Sequence, residues 1–135
     1  MSVAKIRSAL EARLLSISSG VIDTVWENVN YTPITGRPYQ RCFLKAYPEN
    51  RSNFRYTKWN GMFYVRLDYP QGIGSKTMQD RSQVIINSFK RDNTTLVKDD
   101  LKVFISETPE FNTEGNDGDR FCGLVTVKFY TNEVE

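Results

Sequence analysis

Hydrophobic residues in this chain recur at about every 3.6 positions in two stretches and alternate in most of the others, and the order of these periods restricts the folds open to it. Val3, Ile6, Leu10, Leu14 and Ile17 share one side of a helical wheel, with Lys5, Arg7, Glu11 and Arg13 on much of the rest. This is an amphipathic helix of roughly four turns. Ser18-Ser19-Gly20 supplies its stop, with Gly20 able to take a left-handed cap. Val25 to Val29 is a short extended run, and Asn30 to Pro38, which holds Pro33, Gly36 and Pro38, excludes a regular element. Tyr39 to Tyr47 reads as a strand with Cys42, Leu44 and Ala46 on one face and Arg41, Phe43 and Lys45 on the other. Pro48 to Asn60 is polar and reads as a loop. Gly61 to Tyr69 alternates most cleanly, Phe63, Val65, Leu67 and Tyr69 against Met62, Tyr64, Arg66 and Asp68, and Pro70 to Gly74 ends it.

A second helix, from about Thr77 to Arg91, turns Met78, Val84, Ile85 and Phe89 inward, and Thr77 and Asp80 have the spacing of a capping box with Asp in place of Glu. Asp92 to Thr95 is a turn, and Leu101, Val103 and Ile105 alternate with Lys102, Phe104 and Ser106 in another strand. Thr108 to Asp119 is an acidic, glycine-containing loop, and Phe121, Gly123, Val125, Val127 and Phe129 mark a long final strand. The tail from Asn132 to Glu135 is expected to fray. The order is helix, strands, helix, strands, with no internal repeat or linker. The expected product is an α+β fold: one domain over residues 1–135, in two layers, with two helices packed on a mostly antiparallel sheet. At 135 residues the chain buries enough surface to build a core without staples.

Composition speaks against catalysis. The chain has no histidine, which removes the commonest general base and the commonest metal ligand. The cysteines, Cys42 and Cys122, lie in strand-like runs without a C-x-x-C spacing. They read as buried free thiols, with a bridge between them left open. No apolar run marks a signal peptide, and none approaches the ~20 residues needed to span a bilayer. Gly72-Ile73-Gly74-Ser75-Lys76-Thr77 lies where a phosphate loop would, but Ser75 interrupts the required Gly-Lys-Thr and Tyr69 stands at the position of the earlier glycine. Asn112 to Asp119 has the look of a calcium loop, but the bidentate Glu at its twelfth position is missing. Asp99-Asp100 reads as a solvated turn. No cofactor and no metal site is expected.

Charge distribution says more than the net +2. From Arg37 to Arg66 there are seven bases (Arg37, Arg41, Lys45, Arg51, Arg55, Lys58, Arg66) against one acid, Glu49. From Ser106 to Asp119 there are five acids (Glu107, Glu110, Glu114, Asp117, Asp119) and no base. Tyr47, Phe54, Tyr56, Trp59 and Tyr64 are mixed into the basic stretch. Aromatics among cations suit single-stranded nucleic acid or a protein interface. Patches of both signs on one chain favour the interface, because copies can then pair head to tail, and such pairing closes into a ring where the rotation allows.

Several residues together carry a resemblance. Trp26-Glu-Asn-Val-Asn-Tyr-Thr-Pro-Ile-Thr-Gly-Arg-Pro-Tyr39 resembles the signature of phage tail terminator-like proteins. Gly61-Met-Phe-Tyr-Val resembles that family's glycine-aromatic strand start, Tyr69-Pro-Gln-Gly-Ile-Gly74 its Tyr-Pro turn, and Phe89-Lys-Arg-Asp the end of its second helix. Ile6 to Leu14 resembles its opening helix. The chain departs where Arg91-Asp92 replaces the family's Arg-Gly, and the segment from Arg51 to Trp59 is more basic and aromatic than the family pattern.

The resemblance implies a structural virion protein of a long-tailed phage. Such a protein forms a hexameric ring on the finished tail tube, stops its elongation and offers a surface for head attachment. Its implied partners are itself, the major tail-tube protein and a head-side connector. Neither a membrane nor specific nucleic-acid binding is implied, although phage DNA would pass through the ring. Its implied place is the head-proximal end of the tail, after assembly in the host cytoplasm. A different head–tail completion or minor tail protein of similar fold is the alternative, and a nucleic-acid-binding module a more distant one. The candidate contacts are Thr32, Pro33, Arg37 and Tyr39 in the first loop, Tyr69, Pro70, Gly72 and Gly74 in the turn, Arg51, Arg55 and Lys58 in the basic stretch, and Glu107, Glu110, Asp117 and Asp119 in the acidic one.

Overall fold

The computed structural model describes residues 2–50, 56–90, 96–98 and 101–134. It contains two helices, α1 (Ser2–Ser16) and α2 (Lys76–Ser88), and seven strands: β1 (Asp23–Val25), β2 (Tyr39–Asn50), β3 (Tyr56–Pro70), β4 (Leu96–Lys98), β5 (Leu101–Ile105), β6 (Glu110–Asp117) and β7 (Arg120–Val134). The strands form one sheet in the order β1-β2-β3-β7-β5-β4, with β6 also paired to β7. Only the β1–β2 pair is parallel among the described pairings. The α+β class and the mostly antiparallel sheet are as the periodicity implies.

The core follows the two periods. Ile6, Leu10 and Leu14 of α1 and Met78, Ile85 and Phe89 at α2 join Phe63, Val65, Leu67, Val125, Val127 and Phe129 in one buried cluster. Burying each such side chain contributes about 1.5–3 kcal/mol. Val84 is the exception to the expected inward face, since it is exposed. Its place on the buried stripe is taken by Arg81 and Ser82. Arg81 donates to the Ile17 carbonyl at 2.9 Å and to Ser18 Oγ at 2.6 Å, tying α2 to the end of α1. Burial lowers the Arg81 pKa, and these oxygen partners hold its charge. The capping box also does not form. α2 starts at Lys76 with Ser75 as N-cap and no side-chain cap bond, and Asp80 pairs instead with Lys76 at 2.9 Å.

Three expected irregular segments prove to be strand. Pro48 to Asn60 was expected as a loop, but β2 runs on to Asn50 and β3 begins at Tyr56. Pro48 is tolerated because β2 lies at the edge of the sheet there. Glu27 Oε1 accepts the outward N–H of Leu44 at 3.0 Å, and Pro48, four residues on and so facing the same edge, has none to offer. The Thr108–Asp119 loop contains β6, whose residues are mostly exposed and so show no alternation. The tail expected to fray pairs with β3 as far as Val134 opposite Tyr56. The extended run expected at Val25 to Val29 is shorter and earlier, at Asp23–Val25, and a positive φ at Asn28 turns the chain away. The turn expected at Asp92 to Thr95, and Asp99-Asp100, lie outside the described residues.

Both cysteines are buried free thiols. Cys42 on β2 and Cys122 on β7 are separated by β3, so they are not cross-strand neighbours. Burial pushes the Cys42 thiol up to about 12, so it is protonated at neutral pH.

Candidate functional site

β2 starts, β3 ends, β6 ends and β7 starts at the same end of the sheet, so three connections meet there. They are the loop 26–38, the turn 71–75 and the β6–β7 tip at Gly118-Asp119. Gln71 joins the last two: its N–H donates to the Asp119 carbonyl at 3.3 Å and its Nε2 to the Gly118 carbonyl at 2.7 Å.

Arg120 fixes the first loop. It is only 6% exposed, and its guanidinium donates to the carbonyls of Ile34, at 2.8 Å, and Arg37. The same group stands 5.1 Å from the centre of the Tyr39 ring, with Arg41 5.2 Å from that ring. A buried guanidinium is stable only with such partners, here two carbonyl oxygens and an aromatic ring. Tyr31 packs against Tyr39 with centroids 5.0 Å apart and donates its hydroxyl to Asp23 at 2.9 Å. Asp23 also pairs with Arg37 at 2.9 Å. The loop, with two prolines and two turn hydrogen bonds of its own, Val29 N–H to the Trp26 carbonyl and Arg37 N–H to the Ile34 carbonyl, takes the rest of its shape from these contacts.

A second charged network reaches the same end across the strands. Asp68, 2% exposed, lies 3.2 Å from Arg66 Nε and 3.7 Å from Arg41 Nε, and accepts the Cys122 thiol at 3.0 Å. Arg66 donates to Cys122 Sγ at 3.0 Å and to Asp117 at 2.7 Å. Those two bonds raise the Arg66 pKa, and burial raises that of the Cys122 thiol. Neither group is thereby activated: the arginine stays charged and the thiol stays protonated. The network links β2, β3, β7 and the acidic tip by charge compensation rather than by ideal geometry, since Arg41 Nε, Arg66 Nε and Asp68 Oδ2 lack a formal hydrogen bond.

Thr32, Pro33 and Arg37, together with Gly72 and Gly74, are exposed at this end, and Pro70 is half-buried there. Asp117 and Asp119 are exposed at the adjoining tip. Tyr39 and Tyr69 are buried within the chain and offer it no outward side chain: Tyr39 between the two guanidiniums, Tyr69 in the core. Glu110 is exposed farther along β6, opposite Thr126, and Glu107 pairs with Lys128 at 2.8 Å. Arg51 and Arg55 lie outside the described residues; Lys58 stands in β3, paired with Glu49 and Asn132. Lys58 is twelve residues from Pro70, about 40 Å along the strand. Of the basic stretch, Arg66 meets the acidic segment within the chain, at Asp117, while Lys58 lies toward the other end of β3.

Sequence reading missed Arg120 and Asp68. Both sit at positions where alternation predicts solvent, and only the long-range packing of the loop and neighbouring strands buries them. No helix among the described residues is long and apolar enough to cross a membrane.

A family model described as phage tail terminator protein matches residues 5–129. One solved structure aligns with 100% of this chain and 98% of its own, with a TM-score of 0.77 and 19% identity, a likeness that shows the fold. No curated protein matches.

Proposed function

Because this chain belongs to the phage tail terminator family, and so to the structural proteins of a phage tail, we propose that it caps the tail tube as a hexameric ring. The ring ends elongation and presents a surface to a head-side connector, at the head-proximal end of the tail. It acts by docking rather than by catalysis. Beside the family, the observation that carries this reading is the gathered end of the sheet, where three connections are held together by Arg120 and Gln71. A surface that must match one template benefits from being formed before it arrives, since ordering loops on binding costs affinity.

The acids along β6 and the basic segment would then serve contacts between copies, and β6 is an edge with one described partner, β7. Contact between the basic segment of one copy and Glu110 and Glu114 of the next would use two different patches, as a closed ring requires. Reversing charge with Arg55→Glu and Lys58→Glu is expected to reduce the oligomer seen by light scattering at low salt while changing stability by no more than about 0.5 kcal/mol. An oligomer of unchanged size at both low and high salt would contradict this mode of ring formation.

A further inference from the structure

β2 is twelve residues long, and Phe43 and Tyr47 stand exposed on it, at 39% and 53%. A long edge strand with exposed apolar side chains is the usual place for another strand to add. β1 covers the outer edge of β2 from Tyr39 to Arg41 and no farther. Beyond it the ladder alternates, so the N–H groups of Leu44 and Ala46 both point away from β3.

The chain leaves this edge just after Val25. The Val29 N–H bonds the Trp26 carbonyl at 3.1 Å, and Asn28 takes a φ of 63°. Trp26 packs against the core, which leaves Glu27 beside β2. Glu27 Oε1 accepts the Leu44 N–H at 3.0 Å, the bond that a further strand would otherwise make. The same oxygen accepts Arg7 at 3.3 Å, and Arg7 is held in turn by Glu11, also at 3.3 Å. The Leu44 N–H first, and Arg7 after it, hold the Glu27 carboxyl below its usual range despite partial burial, so it is an ionised acceptor at neutral pH. Four residues beyond Leu44, Pro48 has no N–H to offer.

We propose that Glu27 is an edge guard, closing β2 against strand addition by a second copy of this chain. Two copies of β2 offer each other the same donors, the same acceptors and the same exposed aromatic side chains, so a second copy is the strand that fits this edge. A carboxylate seated on the Leu44 N–H must be displaced before that strand can bond there, and Pro48 denies it the next bond but one. The inference concerns the free chain and does not depend on the capping function. Side-chain contacts between copies are untouched by it; only a sheet continued from one copy to the next through β2 is excluded.

The test compares the full chain with Glu27→Ala and Glu27→Gln by sedimentation velocity over a range of concentrations, and by hydrogen exchange at single amides. In dilute Glu27→Ala the Leu44 amide is expected to exchange about 10-fold faster than in the parent. As concentration rises, this variant is expected to form particles larger than the parent's, with self-association at least about 10-fold tighter, and the Leu44 and Ala46 amides should slow together. Glu27→Gln keeps the accepting oxygen and is expected to behave as the parent. Masses equal to the parent's at every concentration of Glu27→Ala would overturn the proposal. So would association that leaves the Leu44 and Ala46 amides fast, since the contact would then lie elsewhere, or association of Glu27→Gln equal to that of Glu27→Ala. If Glu27→Ala does not fold, Glu27→Ser is held to the same outcomes. In the parent itself the Leu44 amide must exchange more slowly than that of Ala46, and equal rates would likewise overturn the proposal.

Discussion

Replacing Gly61 with valine is expected to cost more than about 3 kcal/mol, and so to unfold much of the protein. Gly61 stands in the middle of β3, opposite Ala46 on β2 and Phe129 on β7. A Cβ there would run into the Lys45 carbonyl oxygen, and would lie 2.7 Å from Cζ of Phe129 and 3.0 Å from the Ala46 Cα. A flexible side chain could move aside. The Lys45 carbonyl is backbone of the neighbouring strand, and shifting it disturbs the β2–β3 pairing on both sides. The Phe129 ring already occupies the space that glycine leaves, which is how an aromatic compensates for glycine in a sheet. Gly72→Ala makes the useful contrast. It meets nothing within 4 Å, and its φ of 83° limits the penalty to backbone strain of about 1–2 kcal/mol. Denaturant midpoints of the two variants give the comparison, and a Gly61→Val protein as stable as its parent would contradict the packing described for β2, β3 and β7.

Removing the charge of Arg120 is expected to have the second large effect. Arg120→Met keeps the stem but leaves the Arg37 carbonyl without its guanidinium donor, the Ile34 carbonyl with only the Arg37 N–H, and Tyr39 with one guanidinium in place of two. The expected cost is about 2–3 kcal/mol, since hydrogen bonds from a charged group are among the stronger ones. The loss should be local in character. Hydrogen exchange in residues 34–39 should quicken far more than in the core strands, and binding to tube ends should fall with it. Unchanged exchange in the loop would show that Arg120 does not hold it.

How much of this was legible in the sequence depends on how many faces of each element are buried. α1 and the central parts of β3 and β7 bury one face fully and leave the other mostly half-buried or exposed, so their periods could be read directly. β6 and the outer parts of β2 and β3 could not be read that way. β6 is exposed along nearly its whole length, so nothing in its sequence alternates, and its acids and glycines look like a turn. Pro48 and the polar residues after it carry the usual marks of a loop, and only edge placement reconciles them with a strand. Val84 was misassigned because Arg81, a residue that pattern reading places in solvent, is buried against Ile17 and Ser18.

The site was legible as segments and not as a place. The loop from Thr32, the turn around Gly72 and the acidic tip stood out by composition, and the structure brings them together at one end of the sheet. What joins them, Arg120 to two carbonyls and Gln71 to the tip, consists of contacts between residues distant in sequence, which no local period encodes.

Tail length measured by electron microscopy, in phage lacking this protein, bears most directly on the proposal that it caps the tube. Tubes that run past their normal length and carry no heads are the expected result, with normal tails restored when the protein is supplied. Tails of normal length joined to heads in its absence would contradict it.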